Sequence, residues 1–198
     1  MELLQSVALA GGMAWASGLR LYAVLFSAGL LGRLGYLELP ETLQVLQEPW
    51  LIALAGVLCC LEFLADKIPA IDSLWDGVQT FIRIPAGAVL AALAMGHHDP
   101  AIMVAAGLLG GTLTAGTHAA KAGSRALINT SPEPASNIAA SLGEDALVTT
   151  GLFAAFYWPA VFLAGLAIFI LLLVWLLPKL LRGVRGVLGW LFGRRRSP

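Results

Sequence analysis

Two carboxylates, Glu62 and Asp66, stand four residues apart in an otherwise apolar run, which puts them on one face of a helix. Lys67, Asp72 and Asp76 follow, and Arg83 comes a little later. A second set is cationic. His118, Lys121 and Arg125 fall at i, i+3 and i+7, a single helical stripe that Thr114 shares. Asn129 and Ser131 lie in a turn rich in proline, Glu144 and Asp145 come shortly after it, and Arg20 interrupts the first apolar segment. An ionisable side chain inside an apolar segment is costly, so each of these is a candidate functional group. The cationic stripe suits an anionic group such as a phosphate or carboxylate, which arginine grips through two parallel N–H bonds. The acidic set suits protons or a cation. Burial disfavours the charged form of a carboxylate, so a dry one can load and release a proton near neutral pH. Glu62 and Asp66 are the leading candidates, being deepest in an apolar run.

Other chemistries find less support. No phosphate-binding loop, dinucleotide fingerprint or nucleophile motif is present. Ser131 and Ser136 near His118 could be imagined as a catalytic pair, but serines in a turn such as NTSPEPASN are caps and turn formers. The only cysteines, Cys59 and Cys60, are adjacent, which excludes a disulfide framework and a cysteine metal site. A divalent site from Glu62, Asp66, Asp72 and His118 is chemically admissible, yet their spacing carries no ligand signature, so neither metal nor cofactor is expected. Arg194 to Arg196 alone make no nucleic-acid face. The plain alternative is that the charges only hold a bundle together, since six acids (Glu62, Asp66, Asp72, Asp76, Glu144, Asp145) nearly balance Arg20, Lys67, Arg83, Lys121, Arg125 and His118. Desolvation argues against ion pairs used as glue. Gly107, Gly111, Ala115, Ala119 and Gly123, spaced by four, already supply a close-approach stripe.

The elements that position these groups must be membrane helices. Of 198 residues, 59% are hydrophobic and 12% charged, and mean hydropathy is +0.83. A soluble domain of this size could not hide so much apolar surface. Lipid resolves the conflict and leaves helices or a closed barrel, and the long runs lack barrel alternation. The expected class is all-α, a polytopic integral membrane bundle with glycine-broken or re-entrant helices. Leu3 to Gly35 is too long for one simple span and reads as two half-helices, broken near Gly11-Gly12, Ser17-Gly18 and Arg20. Tyr36 to Glu48 is a polar connection, Pro49 opens a helix that ends before Pro69, and Ile68 to Thr80 reads as a polar stretch. A helix over about 77–95 follows, kinked at Pro85, then a long segment over 101–128. The spacing Ser141 to Glu144 fits a capping box opening the next helix, and Trp158-Pro159 divides that helix from a final span.

Short matches link the two halves, about 3–96 and 101–178. Gly11-Gly12 with Ala16 parallels Gly110-Gly111 with Ala115, and Leu54-Ala55-Gly56 with Pro69 parallels Leu163-Ala164-Gly165 with Pro178. Such halves are expected to be inverted, the pattern that points to a transporter site at the midplane. Residues 1–178 form one membrane domain. Residues 179–198 read as a basic amphipathic tail lying in the cytoplasmic interface, and their lack of acids puts the C-terminus inside. The first apolar segment lacks the basic start of a signal peptide and is expected to stay as a membrane element.

The stretches EFLADKIP (residues 62–69), Asp72-Ser73 with Trp75-Asp76, and Ile82-Arg83 with Pro85 and Gly87 resemble a bacterial membrane family called domain of unknown function 4126. Gly110-Gly111, His118, Lys121-Ala122, Arg125 and the Asn129 to Asn137 turn add to the resemblance, which covers about residues 8–178. It departs at Ile84, where proline is expected directly after Arg83. The resemblance implies a multi-span protein of the bacterial inner membrane and no established activity. The expected function is transport of a small solute, ion or lipid-phosphate group through a charged cavity. Glu62, Asp66, Asp72 and Asp76 would form its acidic side. Arg83, His118, Lys121 and Arg125 would face an anion, and residues 129–137 would gate it. An intramembrane enzyme acting on a lipid headgroup, with His118 and a carboxylate as acid and base, and a non-transporting assembly factor stay open. The partners expected are membrane lipid, a small or ionic substrate and a second copy of the chain.

Overall fold

The computed structural model describes residues 2–96, 98–130 and 134–193. Ser131, part of the proposed gate and Arg194 to Arg196 lie outside them. The described residues are helical almost throughout and contain no strand. The order is α1 (Leu3–Arg33), a 3-10 turn (Glu41–Gln47), α2 (Pro49–Ala65), α3 (Pro69–Ala94), α4 (Pro100–Ile128), α5 (Pro134–Tyr157) and α6 (Pro159–Gly193). Prolines open the five helices after the first, where the missing N–H costs nothing. The Asp99 carboxylate caps α4 by accepting from the Ala101 N–H at 2.7 Å.

The break expected in the first segment falls at Arg20, whose backbone is extended (φ −146°, ψ 74°) between two helical runs. α5 serves as a ruler for what this break does. Gly12 abuts Ala155 near the end of α5, and the Tyr157 hydroxyl donates to the carbonyl of Tyr36, just past α1. Arg20 instead reaches Ser141, fourteen residues and about 21 Å back along the same helix. The two halves of α1 therefore both start or finish at one end of the bundle and meet at Arg20, a tip pointing toward the other end. α1 touches every other helix. Its Met13, Ala14, Trp15, Leu21 and Val24 form the apolar core with Ala91, Leu152 and Phe162. Trp15 stands edge-on to Phe162 and Phe169 at 6.1 and 5.9 Å.

Several expected boundaries move. α3 begins at Pro69, so the helix starts before the expected residue 77 and the polar stretch makes up its first half. α5 begins at Pro134, so Ser141 to Glu144 lies inside a helix and caps nothing. α6 runs unbroken through Pro178 to Gly193, so the tail continues the last helix up to that residue. The small-residue stripe on α4 is divided between two partners: Gly107 and Gly111 abut Ala88 and Ala92 of α3, whereas Gly123 abuts Leu180 of α6. The two glycine-pair segments run in the same direction. Ala14 lies beside Gly110, Gly18 beside Thr114 and Thr117, and the Leu19 carbonyl beside Lys121. This parallel course runs counter to the expected inversion.

The outside of the bundle is apolar. Phe81 is 82% exposed, Leu109 72%, Leu171 71% and Val174 69%. Water would drive such a surface to aggregate, whereas acyl chains match it. Five helices are long and apolar enough to cross a membrane, and the 3-10 turn with α2, bent by 69°, is a sixth candidate. The chain is thus a multi-pass membrane-type helical bundle.

Candidate functional site

The tip of α1 and the break between α2 and α3 meet, and nearly every charge singled out in the sequence converges there. α2 ends at Ala65, so its last turns deliver Glu62 and Asp66 on one face. α3 carries Asp72, Asp76, Gln79 and Arg83 at i, i+4, i+7 and i+11, a helical stripe concealed by starting the helix at about residue 77. α4 delivers Thr114, His118, Lys121 and Arg125, and α5 delivers Asn137, Ser141, Glu144 and Asp145. Gly18 allows the tip to come this close. A Cβ there would stand 2.7 Å from the Thr114 carbonyl oxygen and the Thr117 Cβ.

Arg20 pairs with Asp66 and, at 2.9 Å, with the Asp145 carboxylate, and it donates to the Ser141 hydroxyl at 2.9 Å. The Lys121 ammonium lies between Asp66 (3.1 Å), Glu144 (3.5 Å) and Asp76 (3.6 Å), and donates to the Leu19 carbonyl at 3.2 Å. That carbonyl belongs to the C-terminal end of the first half of α1, where the helix dipole favours a cation. Arg83 pairs with Glu62 and with Asp76 at 2.9 Å. Arg125 grips Glu144 through two bonds of 3.0 and 3.1 Å and donates to the Asn137 carbonyl at 2.9 Å. The Asn129 amide donates to Asp72 at 3.2 Å and to the Ser73 hydroxyl at 3.0 Å.

The contacts of His118 assign its tautomer. Arg83 has only protons to offer and sits 3.2 Å from Nδ1, so Nδ1 accepts. Nε2 then carries the hydrogen and donates to the Thr80 hydroxyl at 2.7 Å, and that hydroxyl donates to the Asp76 carbonyl at 2.9 Å. His118 is held by Thr80 and Arg83; Ser131, one of the serines imagined as its partner, lies outside the described residues.

Arg20, Glu62, Asp66, Asp72, Asp76, Arg83, His118, Lys121 and Arg125 are each at most 3% exposed. Among the described members, the network approaches the surface at Glu144 and Asp145, whose side chains are 13% and 32% exposed. Lys67 stands at the edge, its ammonium over the Phe63 ring and bonded to the Phe63 carbonyl at 3.1 Å. With the imidazole neutral, the four fully buried acids match Arg20, Arg83, Lys121 and Arg125 one for one, while Glu144 and Asp145 add two acids and Lys67 at the edge one cation, so the six acids exceed the five cations by one. Glu62 Oε2, Asp66 Oδ1, Asp72 Oδ1, Asp76 Oδ2 and Asp145 Oδ2 are buried and accept no hydrogen bond among the described residues. A buried polar atom without a partner is expensive, so five such oxygens in one cluster call for a proton, a water or a cation. Among the described residues no three His, Cys, Asp or Glu side chains are grouped as metal ligands.

Sequence reasoning missed Gln79 and Ser141 as site residues and placed Asn137 only at the end of the expected gate. The Gln79 amide donates to the Tyr22 hydroxyl at 3.0 Å, fixing α3 to the second half of α1. Its place on the stripe of α3 could have revealed it, whereas Ser141 and Asn137 carried no signal beyond the helix assumed to start later.

A family model described as a domain of unknown function (DUF4126) matches residues 7–179. No curated protein and no solved structure matches the chain.

Proposed function

The chain belongs to the DUF4126 family, and we propose that it is a small membrane transporter whose buried charge network loads and releases protons as it moves a small solute or ion. The observation that carries this reading is the acid surplus: six carboxylates against five cations, drawn from α1 to α5, with five buried carboxylate oxygens that accept no hydrogen bond among the described residues. An uncompensated negative charge at the edge of a low-dielectric space is costly, and a proton is the smallest species that removes it. A bundle needing only cohesion would gain little from so many desolvated ions.

Broken helices support the same reading. A folded-back α1 with a charged tip, facing a second break at Asp66 to Ile68, resembles the half-helices that build ion sites in transporters. On this reading α1 is a re-entrant hairpin. Depth follows from α6. Gly116 lies beside Leu173 and Gly123 beside Leu180, so His118 to Arg125 run level with about Trp175 to Arg182. Pro159 to Lys179 is 21 residues, and their 20 rises span about 30 Å, the thickness of a hydrocarbon core. Lys179 stacks on the Trp175 ring at 3.0 Å, an interfacial pair. The network then lies near one face of the bilayer and not at its midplane. The acid-free, basic end of α6 makes that face cytoplasmic.

The test is proteoliposomes with an imposed pH gradient and an internal pH dye. Wild type should admit protons faster than empty vesicles, and Glu62→Ala and Lys121→Ala should abolish the excess while remaining in the membrane. Wild-type rates in both variants would remove the network from the mechanism. No excess flux in wild type, with or without candidate solutes, would leave the charges as structural.

A further inference from the structure

Five of the six acids in the network have a cation beside them. Glu62 and Asp76 have Arg83, Asp66 has Arg20 and Lys121, Glu144 has Arg125, and Asp145 has Arg20. Asp72 has none among the described residues, although it is wholly buried. It faces Asp76 one turn on along α3, Asp66 from the end of α2, and Arg125 and Asn129 from α4. α1 and α5 send Arg20 and Glu144, which are engaged with Asp66 and Arg125. Arg125 is therefore the cation nearest to serving Asp72, and its N–H groups go elsewhere: to Glu144, to Asn137 and to the Asp66 carbonyl.

The two oxygens of Asp72 are not equivalent. Oδ2 accepts from the Asn129 amide at 3.2 Å, whereas Oδ1 accepts no hydrogen bond among the described residues. Burial without a cation favours the neutral form of a carboxylate. The dipole at the start of α3 opposes this, but it is a partial charge acting on one turn, whereas desolvation acts on the whole charge. Protonating Glu62, Asp66, Asp76 or Glu144 would weaken the hold on a buried cation, and Asp145 is partly in water. Protonating Asp72 weakens no ion pair and cancels the excess of one negative charge. Resting on the proton-loading reading above, we propose that Asp72 is the group that holds the exchangeable proton, on Oδ1. Loading forms an O–H bond there and leaves Oδ2 to the Asn129 amide; release returns the proton to water. The way to water is short, because the same Asn129 amide donates to the hydroxyl of Ser73, an exposed residue.

Magic-angle-spinning NMR of the full chain in lipid bilayers, with aspartate isotopically labelled at the side-chain carboxyl carbon, tests this, because the shift of that carbon separates acid from carboxylate. At neutral pH one aspartate signal should stand at the protonated position, move to the carboxylate position as pH is raised, and be missing from Asp72→Asn. A protonated signal that persists in Asp72→Asn, or a wild-type spectrum with every aspartate ionised at neutral pH, overturns the assignment. The vesicle assay separates this from the transport reading. Asp72→Asn should lose the excess proton flux, and Asp72→Glu, which keeps an acid on the same helical face, should retain part of it. Wild-type flux in Asp72→Asn overturns the role of Asp72 and leaves the transport reading standing. A wild type without excess flux overturns the transport reading, and the spectrum alone then decides where the proton sits.

Discussion

The acid surplus makes two substitutions of similar size behave very differently. Lys121→Met removes the cation that lies within 3.6 Å of Asp66, Asp76 and Glu144. The side-chain volume is nearly kept, so the change is electrostatic, and it raises the excess negative charge from one to two. Losing one partner of a buried pair costs about 3–5 kcal/mol, and here three carboxylates and the Leu19 carbonyl lose it together. Asp72→Asn has the opposite sign. Asp72 makes no ion pair among the described residues, and its contact is the Asn129 amide. Neutralising it removes the excess, so stability should stay within about 1 kcal/mol of wild type or rise. Reversible unfolding in mixed micelles, read by helix content against the mole fraction of denaturing detergent, measures both. Equal destabilisation by the two variants, or a larger loss for Asp72→Asn, would refute the charge count.

Other predictions follow from single contacts. Gly18→Val would drive a side chain into Thr114 and Thr117, costing about 1–3 kcal/mol in the same unfolding assay and weakening proton flux with it. Trp15→Ala leaves a void against Phe162 and Phe169 and should destabilise by about 3–5 kcal/mol with no direct effect on charge. Arg20→Gln should free the hairpin tip from Asp66 and Asp145, visible as faster amide exchange in residues 19–23. Tyr157→Phe removes one exposed bond to the Tyr36 carbonyl and should cost about 1 kcal/mol or less.

Much of the site was legible because helical spacing reports faces. Glu62 with Asp66, and His118 with Lys121 and Arg125, needed only their i, i+4 and i, i+3, i+7 intervals to be placed together. Arg20 was legible as a break, because an arginine next to Ser17-Gly18 in an apolar run interrupts it. Polarity misled where it was read as a sign of loop. Residues 68–80 are polar because α3 turns a charged stripe inward, while Leu74, Val78 and Phe81 face out. The same rule hid the start of α5, since Asn137 and Ser141 serve Arg125 and Arg20 and not a turn. Direction was illegible for a different reason. The short glycine-pair matches carry no information on whether the intervening chain crosses an odd or even number of times, and a fold-back at Arg20 changes that count. Depth was equally hidden, because it is set by the register of α4 against α6, fixed by Gly116 and Gly123.

The most direct measurement is infrared difference spectroscopy of the protein in lipid films as pH is raised through neutrality. A network with more acids than cations should show the carbonyl stretch of protonated carboxylic acid at neutral pH, reduced in Asp72→Asn and Glu62→Gln proteins. A wild-type spectrum with every buried carboxylate ionised at neutral pH would contradict the account.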